Sequence, residues 1–531
     1  MWHSTAPRTL VPLFFSAVAW ATATATATAQ GSARADLLIR GGTVIDGTGA
    51  PGRLADVAIT GDRITFVGDA QRARIVATRT LDAHGLIVAP GFIDPHTHTY
   101  DDFQSERVAR RTNAAYLMQG VTTVVTGNDG SGPTNIAEQL TRWEAQGIGT
   151  NAALFVGFGT IRGAVLGMSA AAPSAIQLAA MQRMVARGLD DGALGLSTGL
   201  YYAPQSFSTT EEVIALARES ATRGGIYDSH LRDESSYTIG LLGAVREILR
   251  IGREAALPVH IAHIKALGVD VWGQSDSVIA LVTRAQRDGQ RVTADQYPYT
   301  ASGTGVGAAL LPRWAEAGGR DSLRARIVNP EYRDKLVAAM QDNMRRRGGA
   351  RSLLITGARD RALVGKSLDD IATSRHADPI LTALEIIMAG DAGVASFNMN
   401  DDDIVRFMRE PWVMTGSDGS DGHPRKYGTY PRKIRDYVLQ RHVLTLEQMV
   451  RRSSRDVAEA LGVGARGTLE RGWLADVIVV DTAKVRDVAT YNAPERLAEG
   501  MVYVLVNGRL AVDQGKLTGV LAGRGVRRAK P

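Results

Sequence analysis

The segment Gly91-Phe92-Ile93-Asp94-Pro95-His96-Thr97-His98 is a short apolar run that ends in two histidines. The run has the length and character of a buried strand. Because side chains alternate across a strand, His96 and His98 point to the same face. Such a pair supplies two imidazoles to one metal site, although a turn with two hydrogen-bonding histidines has the same spacing. The residue types at the ends of later strands decide between a metal site and a turn.

Four later apolar runs also end in a side chain that can bind a metal. Asp129 follows VTTVVTGN, His230 closes GIYDSH, His263 closes PVHIAH, and Asp418 closes PWVMTGSD. Short strands alternate here with longer amphipathic stretches, which favours βαβ units and a closed barrel of parallel strands. The carboxyl ends of barrel strands meet at one mouth, so these five segments are predicted to become neighbours.

Strand parity sorts the residues around these ends. His260 and His263 point to opposite faces of one strand, whereas Lys265 shares the face of His263. We therefore expect His263 and Lys265 to face inward, and His260 to pack against helices or make hydrogen bonds. The same reasoning places Arg232 beside His230.

Both ends of the chain carry β-type sequence. DLLIRGGTVIDGTG and ADVAITGDRITFVGD near the start, and GTLERGWLADVIVVD and MVYVLVNGRLAVDQGK near the end, alternate apolar runs with Gly and Asp turns. Neither block is long enough to bury a good core alone. The predicted fold class is therefore α/β: a (β/α)8 barrel over residues 91–455, with an insertion or lid at about 304–350, and a composite β-sandwich from residues 36–90 and 456–516. Residues 517–531 are predicted to form a frayed basic tail.

The composition excludes several classes of protein. With 44% apolar and 22% charged residues in 531, the chain is neither disordered nor a membrane bundle in character. The net charge of +6 is spread thinly, without a basic face or stacking aromatics, so no nucleic-acid partner is expected. The absence of cysteine excludes disulfides, thiolate catalysis and a lipidated cysteine anchor.

Residues 1–29 have the pattern of a secretory signal peptide. A weakly positive MWHSTAPRTL precedes the short apolar run LVPLFFSAVAWA, and ATATATATAQ supplies small residues for cleavage near Ala29. No later stretch approaches the ~20 apolar residues of a membrane-spanning helix. The sequence thus predicts an exported, periplasmic protein without stable membrane insertion.

The motifs resemble those of a known family. GFIDPHTH after a β-rich start, the strand-ending histidines, the late GSDG and RGTLERGWLADVIVVD are similar to the amidohydrolase superfamily. Within it, GLSTGLYYAP, SHLRDES, HIAHIKALG, ADQYPYTASGT and HPRKYGTYPR resemble the N-acyl-D-amino acid deacylases, or D-aminoacylases. The resemblance runs from about residue 36 to residue 516, and it implies the same barrel with a composite β-sandwich.

The collected side chains suit metal-dependent hydrolysis, since a metal lowers the pKa of a bound water to ~7 and polarises the attacked carbonyl. We expect Asp129, His230 and His263 to hold the principal ion, most simply Zn²⁺, while Co²⁺ and Mn²⁺ are alternatives. His96 and His98 either complete that site or form a weaker neighbouring one.

Asp418 is predicted to be the general base that takes a proton from water and delivers it to the leaving amine. The resemblance implies that Lys265 and Tyr297 bind the free carboxylate of the substrate, although Lys265 would also serve merely to balance the carboxylates. Arg232 and Ser302 are weaker candidates for the same task. Three aromatic residues are candidates for shaping the acyl or side-chain pocket: Tyr201, Tyr202 and Phe207.

Two departures from the family pattern concern this site. Family members usually read Gly-Asn-Cys-Gly where this chain has Gly127-Asn128-Asp129-Gly130. Aspartate is a competent zinc ligand at ~2.0–2.2 Å, can bridge two cations and is not oxidised as a thiol is. The alternative is that Asp129 only stabilises the turn.

The second departure is the short segment between Asp418 and His423, which has only four residues. It leaves side-chain preference and strict D-selectivity open.

The resemblance, together with the collected side chains, implies hydrolysis of N-acyl-D-amino acids, with dipeptides that carry a D-residue at the carboxyl end as a possible extension. One alternative is another amidohydrolase, acting on cyclic amides or on ordinary N-acyl or dipeptide substrates; activity toward L isomers would mark it. A second is an exported binding protein on a decayed scaffold. The pair His96 and His98, together with Asp418, argues against the second, because binding alone requires no general base. The sequence does not predict the oligomeric state.

Overall fold

The computed structural model describes residue 1 and residues 34–529. The predicted signal peptide, apart from Met1, lies outside the described residues. Within residues 34–529, no helix combines the length and the apolar character needed to cross a bilayer.

One nine-stranded sheet is built from both ends of the chain. Its strands are β1 (Arg34–Val44), β2 (Arg53–Thr60), β3 (Arg63–Gly68), β4 (Val76–Asp82), β5 (Ile87–Pro90), β18 (Val477–Val480), β19 (Met501–Val506), β20 (Arg509–Asp513) and β21 (Lys516–Leu517). Their order in the sheet is β21-β20-β19-β18-β5-β1-β2-β3, and β4 pairs with β1. The two ends meet where β18 pairs antiparallel with β5, so the predicted composite β-domain is confirmed.

The strand β18 joins this sheet to the rest of the molecule. Its four apolar side chains alternate between two cores: Val477 and Val479 pack inside the β-domain, whereas Ile478 and Val480 pack in the main core of the barrel. Alternation across a strand therefore lets one short segment stabilise both parts of the fold.

Eight parallel strand positions form the barrel. They are β6 (Phe92–Thr97), β7 (Val121–Thr126), β8 (Asn151–Leu154) with its continuation β9 (Val156–Gly157), β10 (Gly195–Gly199), β11 (Ile226–His230), β12 (Val259–Ile261), β13 (Val292–Gln296) and β17 (Val413–Thr415). Pairing runs in chain order, and a bridge between Thr97 and Gly419 closes the circle. The strands are almost entirely buried, as in an all-parallel sheet covered by helices. The predicted (β/α)8 barrel is confirmed.

Helices surround the barrel and fill the connections. They are α1 (Tyr100–Gln104), α2 (Val108–Arg111), α3 (Ala114–Leu117), α4 (Ile136–Gln146), α5 (Phe158–Leu166), α6 (Ala175–Asp190), α7 (Thr210–Ala221), α8 (Gly240–Ala255), α9 (Ser275–Arg287), α10 (Val306–Leu310), α11 (Gly319–Val328), α12 (Pro330–Arg346), α13 (Leu368–Ser374), α14 (Pro379–Ala389), α15 (Asp401–Arg409), α16 (Arg425–Arg432), α17 (Leu446–Arg452) and α18 (Arg455–Leu461). A π-helix, Lys433–Gln440, continues α16, and short 3₁₀ turns lie at Gln205–Phe207, Arg313–Glu316, Ala350–Ser352 and Arg361–Leu363.

The insertion is larger than predicted. Between β13 and β17 the chain forms an antiparallel sheet of order β14-β16-β15, from β14 (Ala301–Gly305), β15 (Leu353–Ala358) and β16 (Ala392–Phe397). A separate hydrophobic core extends from Val306 to Val394. The sequence prediction of about 304–350 covered the helical first half and missed the strands, because their partners lie far along the chain.

The C-terminal segment is not the frayed tail that its charge predicts. Strand β22 (Gly525–Val526) pairs in parallel with β8 of the barrel, and Val526 is buried. Arg524 also contacts Asp62 of the β-domain at 2.6 Å. Backbone pairing and one buried apolar side chain therefore hold the segment, which its composition alone did not reveal.

Candidate active site

Asp129 lies at the centre of a cluster of histidines at the barrel mouth. Its Oδ1 is 3.5 Å from Nε2 of His96, 3.5 Å from Nε2 of His263 and 3.9 Å from Nδ1 of His230. Its other oxygen, Oδ2, is 3.6 Å from Nε2 of His98. The predicted convergence of separate strand ends is therefore observed, with one carboxylate facing four imidazoles.

Three of the side chains in this cluster come from residues with left-handed backbone conformations just after strand ends. His96 is in β6 and His230 is the last residue of β11, whereas Asp129, His263 and Asp418 follow their strands by two or three residues. These three non-glycine residues have positive φ angles of 56°, 35° and 47°. Such conformations are costly for side chains with a Cβ, and they persist where the surrounding structure requires them, often at functional sites.

Glu234 contacts His263 and His230 at the ring nitrogens that face away from Asp129. Its Oε1 is 3.2 Å from Nδ1 of His263, and its Oε2 is 3.6 Å from Nε2 of His230. Lys265 donates to the same Oε1 at 2.6 Å and lies 2.7 Å from Nδ1 of His263. Carboxylates in this position orient an imidazole so that its other nitrogen faces the metal.

Asp295 and Asp94 accept hydrogen bonds from the backbone of two histidines of the cluster. Asp295 Oδ1 accepts from the backbone N–H of His263 at 2.9 Å and lies 3.8 Å from Nδ1 of His96. Asp94 accepts from the backbone N–H groups of His96 at 3.2 Å and Ser417 at 3.0 Å. Hydrogen bonds to Asp94 therefore connect the end of β6 to the segment that contains Asp418.

Asp418 faces the cluster with one oxygen and a cation with the other. Its Oδ1 is 3.0 Å from Nε2 of His98, and its Oδ2 is 2.7 Å from Nη1 of Arg425. Burial alone would raise the pKa of Asp418, but Arg425 and the imidazoles of the cluster hold it well below its ordinary value. The group is therefore an ionised carboxylate that can accept a proton.

The field of the carboxylates favours positive charge in the cluster. Burial and Lys265 lower the pKa of His263, but Asp418, Glu234 and Asp129 overcome them and raise it to about 9. His230 behaves differently, because burial dominates and lowers its pKa to about 4. The carboxylates therefore favour the protonated form of His263, whereas His230 remains neutral.

The donor set fits a metal ion. Both ring nitrogens of His96 and Oδ1 of Asp129 are buried without a hydrogen-bond partner among the described residues. One ligand atom each from His96, Asp129, His263 and Asp418 lies within 4.8 Å of the others, and His230, Glu234 and His263 form a second such group. Orphaned nitrogen and oxygen donors at this spacing suit zinc, cobalt or manganese.

A cavity of about 690 Å³ opens onto the cluster. Of the predicted substrate-binding residues, Lys265, Tyr297 and Ser302 line it, as do Tyr201 and Tyr202. This volume is ample for an N-acyl amino acid.

Two predicted residues do not reach this cavity. Arg232 donates to Glu247 at 2.9 Å and to the carbonyl of Ser206 at 3.2 Å, and it faces a different cavity. The expectation that it lies beside His230 is wrong, because β11 ends at His230 and strand parity does not continue. Phe207 lies in a 3₁₀ turn and does not line the cavity either.

His260 is outside the group of side chains that face Asp129. It lies beneath the site, where its Nε2 is 3.1 Å from Asp295 Oδ1 and its Nδ1 is 2.8 Å from Thr293 Oγ1. It is therefore a hydrogen-bonding residue, joined to the cluster through Asp295.

Sequence reasoning missed several functional residues. Glu234 and Asp295 lie within SHLRDES and ADQYPYT, and Arg425 lies within HPRKYGTYPR, so the motifs that carry the family resemblance contained all three. A sharper signal was available for Glu234, which follows His230 by four residues. Arg347, directly after α12, also lines the cavity. It follows two other arginines, and the sequence alone does not show which of the three is buried.

Comparison with known proteins places this site in a family. The profile described as "Amidohydrolase family" matches residues 79–512. The chain belongs to this family. D-Aminoacylase of Alcaligenes xylosoxydans xylosoxydans is 34% identical over 516 residues, which cover 92% of this chain and 97% of that protein. The chain is thus a member of the N-acyl-D-amino acid deacylase group of the amidohydrolases.

Solved amidohydrolase structures agree over the whole fold. N-acyl-D-glutamate deacylase from Bordetella bronchiseptica, complexed with zinc and a phosphonate that mimics the tetrahedral intermediate, superposes with a TM-score of 0.80 at 32% identity. A D-aminoacylase described for its binuclear metal centre gives 0.79 at 33% identity. Each comparison covers 93% of this amidohydrolase and 100% of the solved chain.

We predict that Asp129→Ala lowers the zinc content of the purified amidohydrolase, because Asp129 faces all four imidazoles. The measurement is metal analysis after dialysis against a weak chelator, alongside the wild type. Asp421→Ala is the matched control, since Asp421 lines the same cavity but pairs with Lys426 outside the cluster. Unchanged zinc in Asp129→Ala would remove this residue from the ligand set.

Proposed function

We propose that the protein hydrolyses the amide bond of N-acyl-D-amino acids, releasing a carboxylate and a free D-amino acid. The observation that carries the proposal is the combination of Asp129, ringed by four histidines, with the ionised carboxylate of Asp418 in one cavity. The relatives named above share the fold over nearly their whole length and are deacylases of this kind.

The proposal assigns the metal to the cluster. His96, His98, Asp129, His230 and His263 would hold it, and the relatives include one with zinc and one with a binuclear centre. When bound, zinc would supply Lewis acidity toward the amide carbonyl and increase the acidity of water. Asp129 directs Oδ1 at the imidazoles of His96, His230 and His263 and Oδ2 at that of His98, so either oxygen would be available to a bound metal.

The free carboxylate of the substrate is assigned to the region around Tyr297. The phenol oxygen is buried and has no partner among the described residues, while burial holds its pKa well above the ordinary value. Arg425 lies 4.6 Å and Lys265 5.9 Å from the centre of its ring. Two cations and a neutral phenol O–H would fix the orientation of the carboxylate and therefore the chirality of the amino acid.

Asp418 is assigned the proton transfers. The attacking water gives a proton to its ionised carboxylate as the oxygen–carbon bond forms, and the amine nitrogen takes that proton as the carbon–nitrogen bond breaks. Arg425 and His98 hold the two oxygens in place.

The first test is chiral analysis of the amino acid that the zinc-loaded enzyme releases from racemic N-acetyl-methionine. We expect D-methionine alone, because the carboxylate subsite and the cluster fix two points of the substrate. Heat-inactivated enzyme is the control. Release of the L isomer would overturn the assigned chirality, and no release from any N-acyl amino acid would overturn the proposed function.

Asp418→Asn is expected to keep its zinc and to lose about 10²–10⁴-fold in kcat, the usual contribution of a positioned general base. Metal analysis and steady-state kinetics on the same preparation separate the two effects. Asp421→Asn, on the rim of the same cavity, serves as the control. Near-wild-type turnover of Asp418→Asn would place the base elsewhere.

We also propose that the enzyme acts after export to the periplasm. The support is the pattern of residues 1–29, with a weakly positive start, an apolar run and a small-residue end. Mass spectrometry of the protein from cell fractions is expected to find a chain that begins close to residue 30 outside the cytoplasm. An intact chain confined to the cytoplasm would contradict export.

A further inference from the structure

Arg347 is a buried cation in the wall of the active-site cavity. It is 2% exposed and follows directly on helix α12 of the insertion. The buried face of that helix carries Leu336, Met340, Asn343 and Met344, and the same helical spacing continues to position 347. The insertion therefore directs this guanidinium inward, while its neighbour Arg345 remains exposed.

Arg347 differs from the other cations of the cavity in lacking an acidic partner. Lys265 is paired with Glu234, and Arg425 with Asp418. Among residues 34–529, no carboxylate forms an ion pair with Arg347 within 4.0 Å. A buried charge without a partner is unfavourable, and an anionic ligand would compensate it.

The hydrogen bonds of Arg347 leave donors free. Its Nε donates to the carbonyl of Ala309 at 3.1 Å, and its Nη2 to the phenol of Tyr201 at 3.4 Å. With the amide of Asn398 turned so that its oxygen faces the surrounding donors, Nη1 donates to it at 3.1 Å. One N–H on each terminal nitrogen remains, and such a pair matches the two oxygens of a carboxylate.

Tyr237 provides a second free donor at the same place. It lines the cavity, its ring centre is 5.8 Å from the guanidinium of Arg347, and its buried phenol oxygen has no partner among the described residues. Arg347 and Tyr237 line the same cavity as Tyr297, and the amide of Asn398, which contacts Arg347, lies 3.0 Å from Oγ of Ser302.

We propose that Arg347 and Tyr237 bind a second carboxylate of the substrate, which makes the enzyme selective for dianionic N-acyl-D-amino acids. This inference rests on the proposed deacylase function. The second carboxylate belongs either to the side chain of the amino acid or to the acyl group, and the test separates these sources.

The test compares kcat/KM within two substrate pairs of similar shape. N-acetyl-D-glutamate against N-acetyl-D-glutamine probes the side chain, and N-succinyl-D-methionine against N-butanoyl-D-methionine probes the acyl group. We expect the wild type to prefer the dianion of one pair by about 10-fold or more. Arg347→Met should lower kcat/KM for that dianion by about 30-fold or more, the usual loss for truncating a buried charge pair, and by less than about threefold for its neutral counterpart.

Arg345→Met is the matched control, because this neighbouring arginine is exposed and pairs with Asp270 at the surface. It should leave the preference unchanged. Tyr237→Phe should lower kcat/KM for the preferred dianion by about 3- to 10-fold, as the loss of one hydrogen bond does. Thermal unfolding and zinc content show whether each variant is folded. If Arg347→Met does not fold, Tyr237→Phe and Arg347→Lys carry the test, and both should reduce the preference.

The possible outcomes are distinct. If the wild type hydrolyses neutral N-acyl-D-amino acids but prefers neither dianion, the second-carboxylate site is wrong while the deacylase function stands. The same conclusion follows if Arg347→Met lowers kcat/KM equally for the dianionic and the neutral substrates. If the wild type hydrolyses no N-acyl-D-amino acid, the proposed function itself fails.

Discussion

The electrostatic cost of burying Asp129 among four imidazoles determines much of the surrounding structure. A carboxylate removed from water is unfavourable unless cations or donors replace its hydration. Here the imidazoles of His96, His98, His230 and His263 approach it to 3.5–3.9 Å, and burial leaves its Oδ1 without a hydrogen bond in the described part of the chain. Left-handed backbone at the strand ends and a second layer of carboxylates hold this arrangement together.

The second layer explains how the cluster remains ordered. Glu234 faces the far nitrogens of His230 and His263, Asp295 accepts from the backbone of His263, and Asp94 links β6 to the segment before Asp418. Each of these acids is buried, so each must be satisfied by a donor or a cation. The site is thus a continuous network in which the ligand set and its supports depend on one another.

The insertion changes the character of the cavity as well as its size. A barrel mouth alone would surround the substrate with the residues that follow its own strands. The sheet β14-β16-β15 and helix α12 add a wall with its own hydrophobic core, so that wall can position a buried arginine without disturbing the barrel. The wall that carries Arg347 and the strand ends that carry the histidine cluster therefore belong to different parts of the fold.

Local pattern was sufficient for the barrel and for the side chains that meet at its mouth, but not for the sheet of the insertion or the paired C-terminal strand. Alternating strands and helices predicted the barrel, and the polar residues at strand ends predicted His96, His98, Asp129, His230, His263 and Asp418 as neighbours, because the carboxyl ends of parallel strands converge. His263 follows the end of β12 by two residues, so its separation from His260 depends on the turn after the strand and not on strand parity. Strand parity failed for Arg232, which lies beyond the end of β11, where alternation no longer applies.

What the sequence determined by itself is the periodicity of each element and the chemical type of the residue at its end. Only the tertiary structure decided which partner each charged group has: Glu234 for Lys265, Asp418 for Arg425, Glu247 for Arg232, and no carboxylate in the described chain for Arg347. Ion pairing depends on distances of a few ångströms between segments far apart in the chain. Periodicity carries no information about such distances, because it describes each segment alone.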